Sequence, residues 1–152
     1  MNIAVYVGLL HTAEETLATS FRQVAEGHPA EADVYHLCHQ LAGQCEQHVE
    51  ALRPVVQRYG EDKRSEPERL HAEGLPQTRS GPVGLLRDLH DLYMLAGFVD
   101  ISWTMVGQAA QGAPDRELLE IVSRCESQTT TQMSWLRTRM KRAAPQALLV
   151  AD

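Results

Sequence analysis

The stretch EDKRSEPERLHAEGLPQTRS, residues 61–80, decides the fold. It is polar, charged and broken by glycine and proline, and it separates two halves of the chain that each hold two long apolar-periodic segments. Fully extended it reaches roughly 60 Å, enough to run the roughly 45 Å length of a 30-residue helix. A linker of that reach allows the second half to start again at the end where the first half began, giving two antiparallel hairpins joined by a long crossover. A slack loop in a plain up-and-down bundle is the alternative. Within the stretch Ser65-Glu66-Pro67-Glu68 has the pattern of a capping box, so one or two helical turns ending at Gly74 are expected there.

Working outward, apolar residues recur at steps of three and four almost everywhere, and nothing alternates like a half-buried strand. Before the linker, Val7, Leu10, Leu17, Phe21 and Val24 form one seam that stops at Gly27-His28-Pro29. Val34, Cys38, Leu41, Cys45, His48, Leu52, Val55 and Tyr59 form a second in heptad-like register, closed by Gly60 and interrupted by Pro54, where a kink is expected. After the linker, Ser80-Gly81-Pro82 opens a third segment with the seam Leu85, Leu89, Leu92, Ala96, Val99, Trp103, Val106 and Ala110. Gly112-Ala113-Pro114 breaks it, and Leu118, Val122, Cys125, Met133, Leu136 and Met140 make a fourth that Pro145 should end. The reading is one all-α domain over residues 1–152. Its helices fall at about 3–27, 31–59, 82–111 and 115–142, with the linker at 61–80 and a tail at 143–152.

Composition fits that picture and excludes other classes. The 152 residues are 43% hydrophobic, 5% aromatic and 22% charged, the profile of one globular domain with an aliphatic core. Fourteen Lys and Arg against twenty Asp and Glu give a net charge of -6, which argues against a nucleic-acid partner. No run approaches the roughly 20 apolar residues of a membrane span. Met1–Leu10 has no basic flank and leads into Glu14-Glu15, unlike a signal peptide. Three cysteines suit a reduced, cytoplasmic protein rather than a disulfide scaffold.

Two polar residues interrupt the seams: Glu14 in the first and His48 in the second. Buried there, each requires a hydrogen bond, a charge or a metal. Depth along the helices can be compared at about 1.5 Å per residue. With the first turn near residue 29, Glu14 falls level with Cys45, and His11 with His48. With the second turn near residue 113, Cys125 falls level with residue 101 and Gln128 with residue 98. In the crossover topology Glu14, Cys45, His48, Asp100, Cys125 and Gln128 then share one polar layer in mid-bundle.

Helix order, loop lengths and this layer resemble the ferritin-like superfamily. Its di-iron members carry a Glu on two helices and a Glu-x-x-His motif on the other two. Glu14 matches the first-helix carboxylate. Cys45-Glu46-Gln47-His48 matches the second-helix motif at its histidine, with cysteine in the place of the acid. Cys125-Glu126-Ser127-Gln128 matches by spacing, with cysteine and glutamine replacing both ligands, and Asp100 is the nearest oxygen donor on the third helix. The resemblance therefore implies a divergent member with a reduced or lost metal centre, a non-enzymatic binding or assembly protein. The alternatives are a metalloprotein holding a single Zn, Cu or Fe through Glu14, Cys45, His48 and Cys125, with His11 and Asp100 at the periphery, and a divergent di-iron oxidase. Thiolate and imidazole ligands favour Zn(II) or Cu(I). A buried Glu14–His48 pair with the cysteines as small hydrophobes is the purely structural reading.

No catalytic residue is assigned: the chain has no phosphate-binding glycine loop and no nucleophile beside a base. His36 and His39, with Asp33, read as a solvated face, His90 and Asp91 as too far along the third helix from the layer to share a metal, and Trp103 and Trp135 as packing. The apolar run Ala147–Ala151 in the tail packs on its own domain or on a neighbour, so a homodimer through helix faces or the tail stands beside a monomer with a docked tail.

Overall fold

The computed structural model describes residues 2–60 and 73–152. The expected capping box at Ser65–Glu68 lies outside the described residues. Four long helices account for most of the rest: α1 (Ile3–Gly27), α2 (Ala32–Tyr59), α3 (Gly81–Gly112) and α4 (Arg116–Pro145). Among the described residues there is no strand, and no helix is long and apolar enough to cross a membrane.

The helices begin and end close to where the sequence signals place them, for local reasons. Gly60 ends α2 at φ 81°, a backbone region that costs a side-chain-bearing residue but not glycine. Asp115 caps α4 by accepting from the Leu118 backbone N–H at 3.1 Å. Ser80 stands at the start of α3 in extended conformation with proline in the first turn, but its hydroxyl makes no capping bond. Pro54 lies inside an uninterrupted α2, on its exposed side. The fourth helix stops at Pro145, as expected from the proline and three residues past the expected bound at 142, and a π-helical turn, Gln146–Val150, follows it. Proline has no N–H to continue the ordinary ladder, and the wider turn closes with Ala151 N–H bonded to the Gln146 carbonyl.

The expected seams form the core. Val7, Leu10, Leu17, Phe21, Leu52, Leu89, Leu92, Trp103, Leu118 and Leu136 are among the side chains sealed from solvent. Helix α1 packs on α2 and α3, and α4 packs on α3 and α2. Polar ties at the two ends fix the directions. At one end Tyr59 donates to Asp115 at 2.6 Å and Arg58 to Glu117 at 2.7 Å, so α2 finishes where α4 starts. At the other, His28 Nε2 lies 2.7 Å from Asp88, while Arg139 donates to Asp33 at 2.7 Å and to Glu31 at 3.1 Å. The start of α3 therefore sits with the α1–α2 turn and the end of α4. Helices α2 and α3 run in the same direction, and Gly60 and Gly81 lie at opposite ends.

The segment leading into α3 lies against α1. A Cβ on Gly74 would touch Thr16 and Ser20, and one on Gly27 would lie 2.4 Å from Thr78 Oγ1, an overlap that only glycine avoids. Leu75 is buried here. Arg79 then locks the segment to α3: its backbone N–H and guanidinium both donate to Asp88, at 3.0 and 2.7 Å, and the guanidinium also reaches Asp91 at 2.8 Å.

Candidate functional site

The polar layer in mid-bundle takes one side chain from each helix. Glu14 on α1, His48 on α2 and Trp103 on α3 are all buried, and Gln128 joins them from α4. His48 Nδ1 lies 3.0 Å from Glu14 Oε1, and His48 Nε2 lies 2.6 Å from Gln128 Oε1. The Trp103 indole N–H donates to the same Glu14 oxygen at 2.9 Å. Its ring meets the His48 imidazole edge to face, with centroids 6.1 Å apart. Each helix supplies its member because a polar residue replaces an aliphatic one on a core seam, or, for Trp103, because an aromatic on the seam carries one polar atom.

The two cysteines flank this chain of bonds. Cys45 lies one turn before His48, where its thiol is 3.9 Å from Gln132 Oε1; Gln132 in turn donates to Gln44 at 3.1 Å. Burial, then the Glu14 carboxylate, holds the Cys45 thiol well above the usual thiol range. Cys125 lies beside His48. Burial alone would lower the His48 pKa, but side-chain contacts with Cys125 and Glu14 outweigh it and raise it to about 10. Both ring nitrogens of His48 face oxygens, the arrangement that suits a doubly protonated ring. Glu14 Oε2, the second carboxylate oxygen, is buried without a hydrogen-bond partner among the described residues.

Asp100, expected in the layer, lies outside it, as do the peripheral candidate His11 and the seam residue Cys38. His11 is 3.9 Å from Glu15 on its own helix, near the surface. Asp100 is half-buried and feels Glu126, which together with burial raises its pKa. Cys38, further up the α2 seam, is buried near Asp33, and burial followed by that charge pushes its thiol up to about 12.

The donor set does not fit a di-iron centre. Both motif acids are thiols, one motif histidine is Gln128, and the oxygen expected from the third helix faces elsewhere. No group of three or more His, Cys, Asp or Glu side chains among the described residues is arranged to hold a metal ion.

Three parts of the polar interior escaped sequence reasoning. Trp103 was expected to be packing alone, yet its N–H is a member of the layer. Gln132 falls one turn beyond Gln128, and that spacing was the available signal. A second buried cluster, His28–Asp88–Arg79, ties the end of α1 to the start of α3; Asp88 is fully buried one residue before seam position Leu89.

Comparison of the chain with models of protein families, with curated proteins and with solved structures found no match.

Proposed function

We propose that this chain is a non-enzymatic binding or assembly protein of ferritin-like arrangement, in which a network of the protein's own side chains takes the place of the central metal. One observation carries the reading: both ring nitrogens of His48 are engaged by protein oxygens, at 3.0 and 2.6 Å, leaving no lone pair directed at an empty position. A histidine ligates through a neutral nitrogen, and the imidazolium form has none to give. The packing of α1 on α3 and of α2 on α4, with α2 and α3 running in parallel, supports the two-hairpin, crossover form of the bundle. Three buried, unpaired cysteines support a reducing, cytoplasmic setting.

A second reading has one observation in its favour. Glu14 Oε2 is a buried, unpartnered oxygen close to the Cys45 thiol, the beginning of a site for one Zn or Cu ion with Cys45, His48 and Cys125. Metal analysis of protein purified without chelator or affinity-tag nickel separates the two. The network reading expects metal well below one equivalent per chain and no iron-dependent oxygen consumption. One equivalent that disappears in both Glu14→Ala and His48→Ala would favour the mononuclear site. Two equivalents of iron, with oxygen consumption lost in Glu14→Ala, would overturn the proposal in favour of a di-iron enzyme.

A further inference from the structure

Two adjoining cavities lie at the end of the bundle where the α1–α2 turn, the start of α3 and the end of α4 meet. The first, about 240 Å³, is lined on one side by Arg139, Arg142, Ala143 and Gln146. The second, about 250 Å³, lies between the turn residues 27–31 and residues 80–81. Glu31, Pro82 and Leu85 form a wall common to both. Together the cavities reach the roughly 300–1,000 Å³ of a small-molecule site. Donor groups around them are unused. Arg139 is 7% exposed, and it donates through Nε to Asp33 at 2.7 Å and through Nη2 to Glu31 at 3.1 Å. Its remaining nitrogen, Nη1, has no partner among the described residues. Among those residues the only sealed side-chain nitrogen or oxygen atoms without a partner are Glu14 Oε2 and Ser20 Oγ. Arg139 Nη1 therefore opens onto the cavity that its residue lines. Arg142 meets Asp33 at 3.9 Å with its side chain 71% exposed, so most of its guanidinium is open as well. Two helix starts face the same space. Neither Glu31 before α2 nor Ser80 before α3 caps its helix with a side chain. The first-turn N–H groups of Gly81 and Val83 have no acceptor within α3, and the positive ends of both helix dipoles converge here.

We propose that this end of the bundle binds a small apolar monocarboxylate. Its carboxylate is held by Arg139 and Arg142 beside the start of α3, and its apolar body lies on Pro82, Leu85 and Ala143. The proposal goes beyond the reading above and does not depend on it, because none of these residues belongs to the central layer. Three features select this chemistry. A guanidinium presents a fork of N–H groups that matches the two oxygens of a carboxylate, and the start of a helix favours a negative charge. Glu31 and Asp33 already offset part of the arginine charge, so one further negative charge is balanced where a phosphate dianion would not be. The wall of proline, leucine and alanine side chains gives an organic body apolar surface to cover, which an inorganic anion cannot use.

Titration of the protein with octanoate, followed by calorimetry and by amide NMR shifts of isotope-labelled protein, tests the proposal. Wild type should bind octanoate saturably, with the Gly81 and Val83 amides among those that shift. Octanol and octylamine share the apolar body but lack the carboxylate, and they should bind at least tenfold more weakly. Inorganic phosphate should also bind more weakly than octanoate. Arg142→Met should weaken octanoate binding roughly tenfold, the loss of one charge-assisted bond. Gln146→Trp fills the first cavity from an exposed position and should abolish binding. Both side chains are exposed, so the circular dichroism of each variant should match wild type. The ligand series is read on wild type and stays decisive if a variant unfolds. The absence of saturable octanoate binding would overturn the proposal. So would octanol or octylamine that matches octanoate, which would mean a merely apolar cleft, and so would phosphate that binds more tightly, which would mean an inorganic-anion site. Octanoate binding unchanged in both variants would place the ligand elsewhere and would overturn it too. Metal bound in the central layer would remove the network reading and leave this inference standing.

Discussion

Replacing Glu14 by glutamine removes the charge of the central layer and keeps its shape. In the wild type Glu14 Oε1 faces His48 Nδ1 at 3.0 Å and accepts from the Trp103 indole at 2.9 Å. An amide oxygen can accept both bonds, so the variant isolates the electrostatic part. The His48 pKa, 6.5 in the unfolded reference, is held at about 10 in the fold. Because the folded value is the higher one, the linked stability is fully present below pH 6.5 and is lost as the pH rises through about 10. At about 1.4 kcal/mol per pKa unit, that interval bounds the contribution at about 5 kcal/mol, and Cys125 shares it with Glu14. Hydrogen bonds to charged groups contribute about 1.5–3 kcal/mol against about 1 kcal/mol for neutral ones. Glu14→Gln should therefore cost about 1 kcal/mol near pH 6, the difference between the two, and progressively less towards pH 10. Urea denaturation followed by circular dichroism, run on both proteins from about pH 6 to about pH 10, measures the gap directly. Taking the difference cancels the groups that do not feel Glu14. A gap that stays constant with pH, or that is absent at the acid end, would show that His48 is not an ion-pair partner of Glu14.

Cys38, Cys45 and Cys125 are all buried, and the first two thiols are held far from their reactive form by burial and neighbouring carboxylates. Alkylation of native protein at neutral pH should proceed no faster than unfolding, and rapid labelling of any of the three would contradict the packing. Asp88 binds His28 and both ends of Arg79 while fully buried. Asp88→Ala leaves those donors without their acceptor and should destabilise the fold by about 3–5 kcal/mol; a loss under about 1 kcal/mol in urea melts would mean that the cluster adds little.

Much of this architecture was readable from spacing alone. Steps of three and four located the helices because every one of them has a core side, and glycine and proline located the turns because they act through the backbone itself. Glu14 and His48 were readable because an ionisable residue on an otherwise aliphatic seam is conspicuous, and counting outward from the turns placed Gln128 at their depth. Asp100 shows the limit of that count. It fixes height along the bundle but not direction around the helix, and Asp100 points towards Glu126. Trp103 was missed because its apolar area dominates its pattern while its single N–H does the bonding. Asp88 was missed because its acceptors are used by His28 and Arg79, which are 60 and 9 residues away in the chain.

The central layer also settles how the four helices are aligned along the bundle axis. Leucine and valine seams are interchangeable from one turn to the next, so an aliphatic bundle tolerates a helix sliding by a turn, about 5.4 Å, at little loss of contact area. Here such a slide in any one helix would strip Glu14, His48, Trp103 or Gln128 of its mate and leave polar groups buried and unpaired. A single polar residue in a coiled coil selects one alignment among several of similar energy in this way. In this bundle the layer acts as a key with four teeth, one cut into each helix, and the slipped arrangements do not turn it.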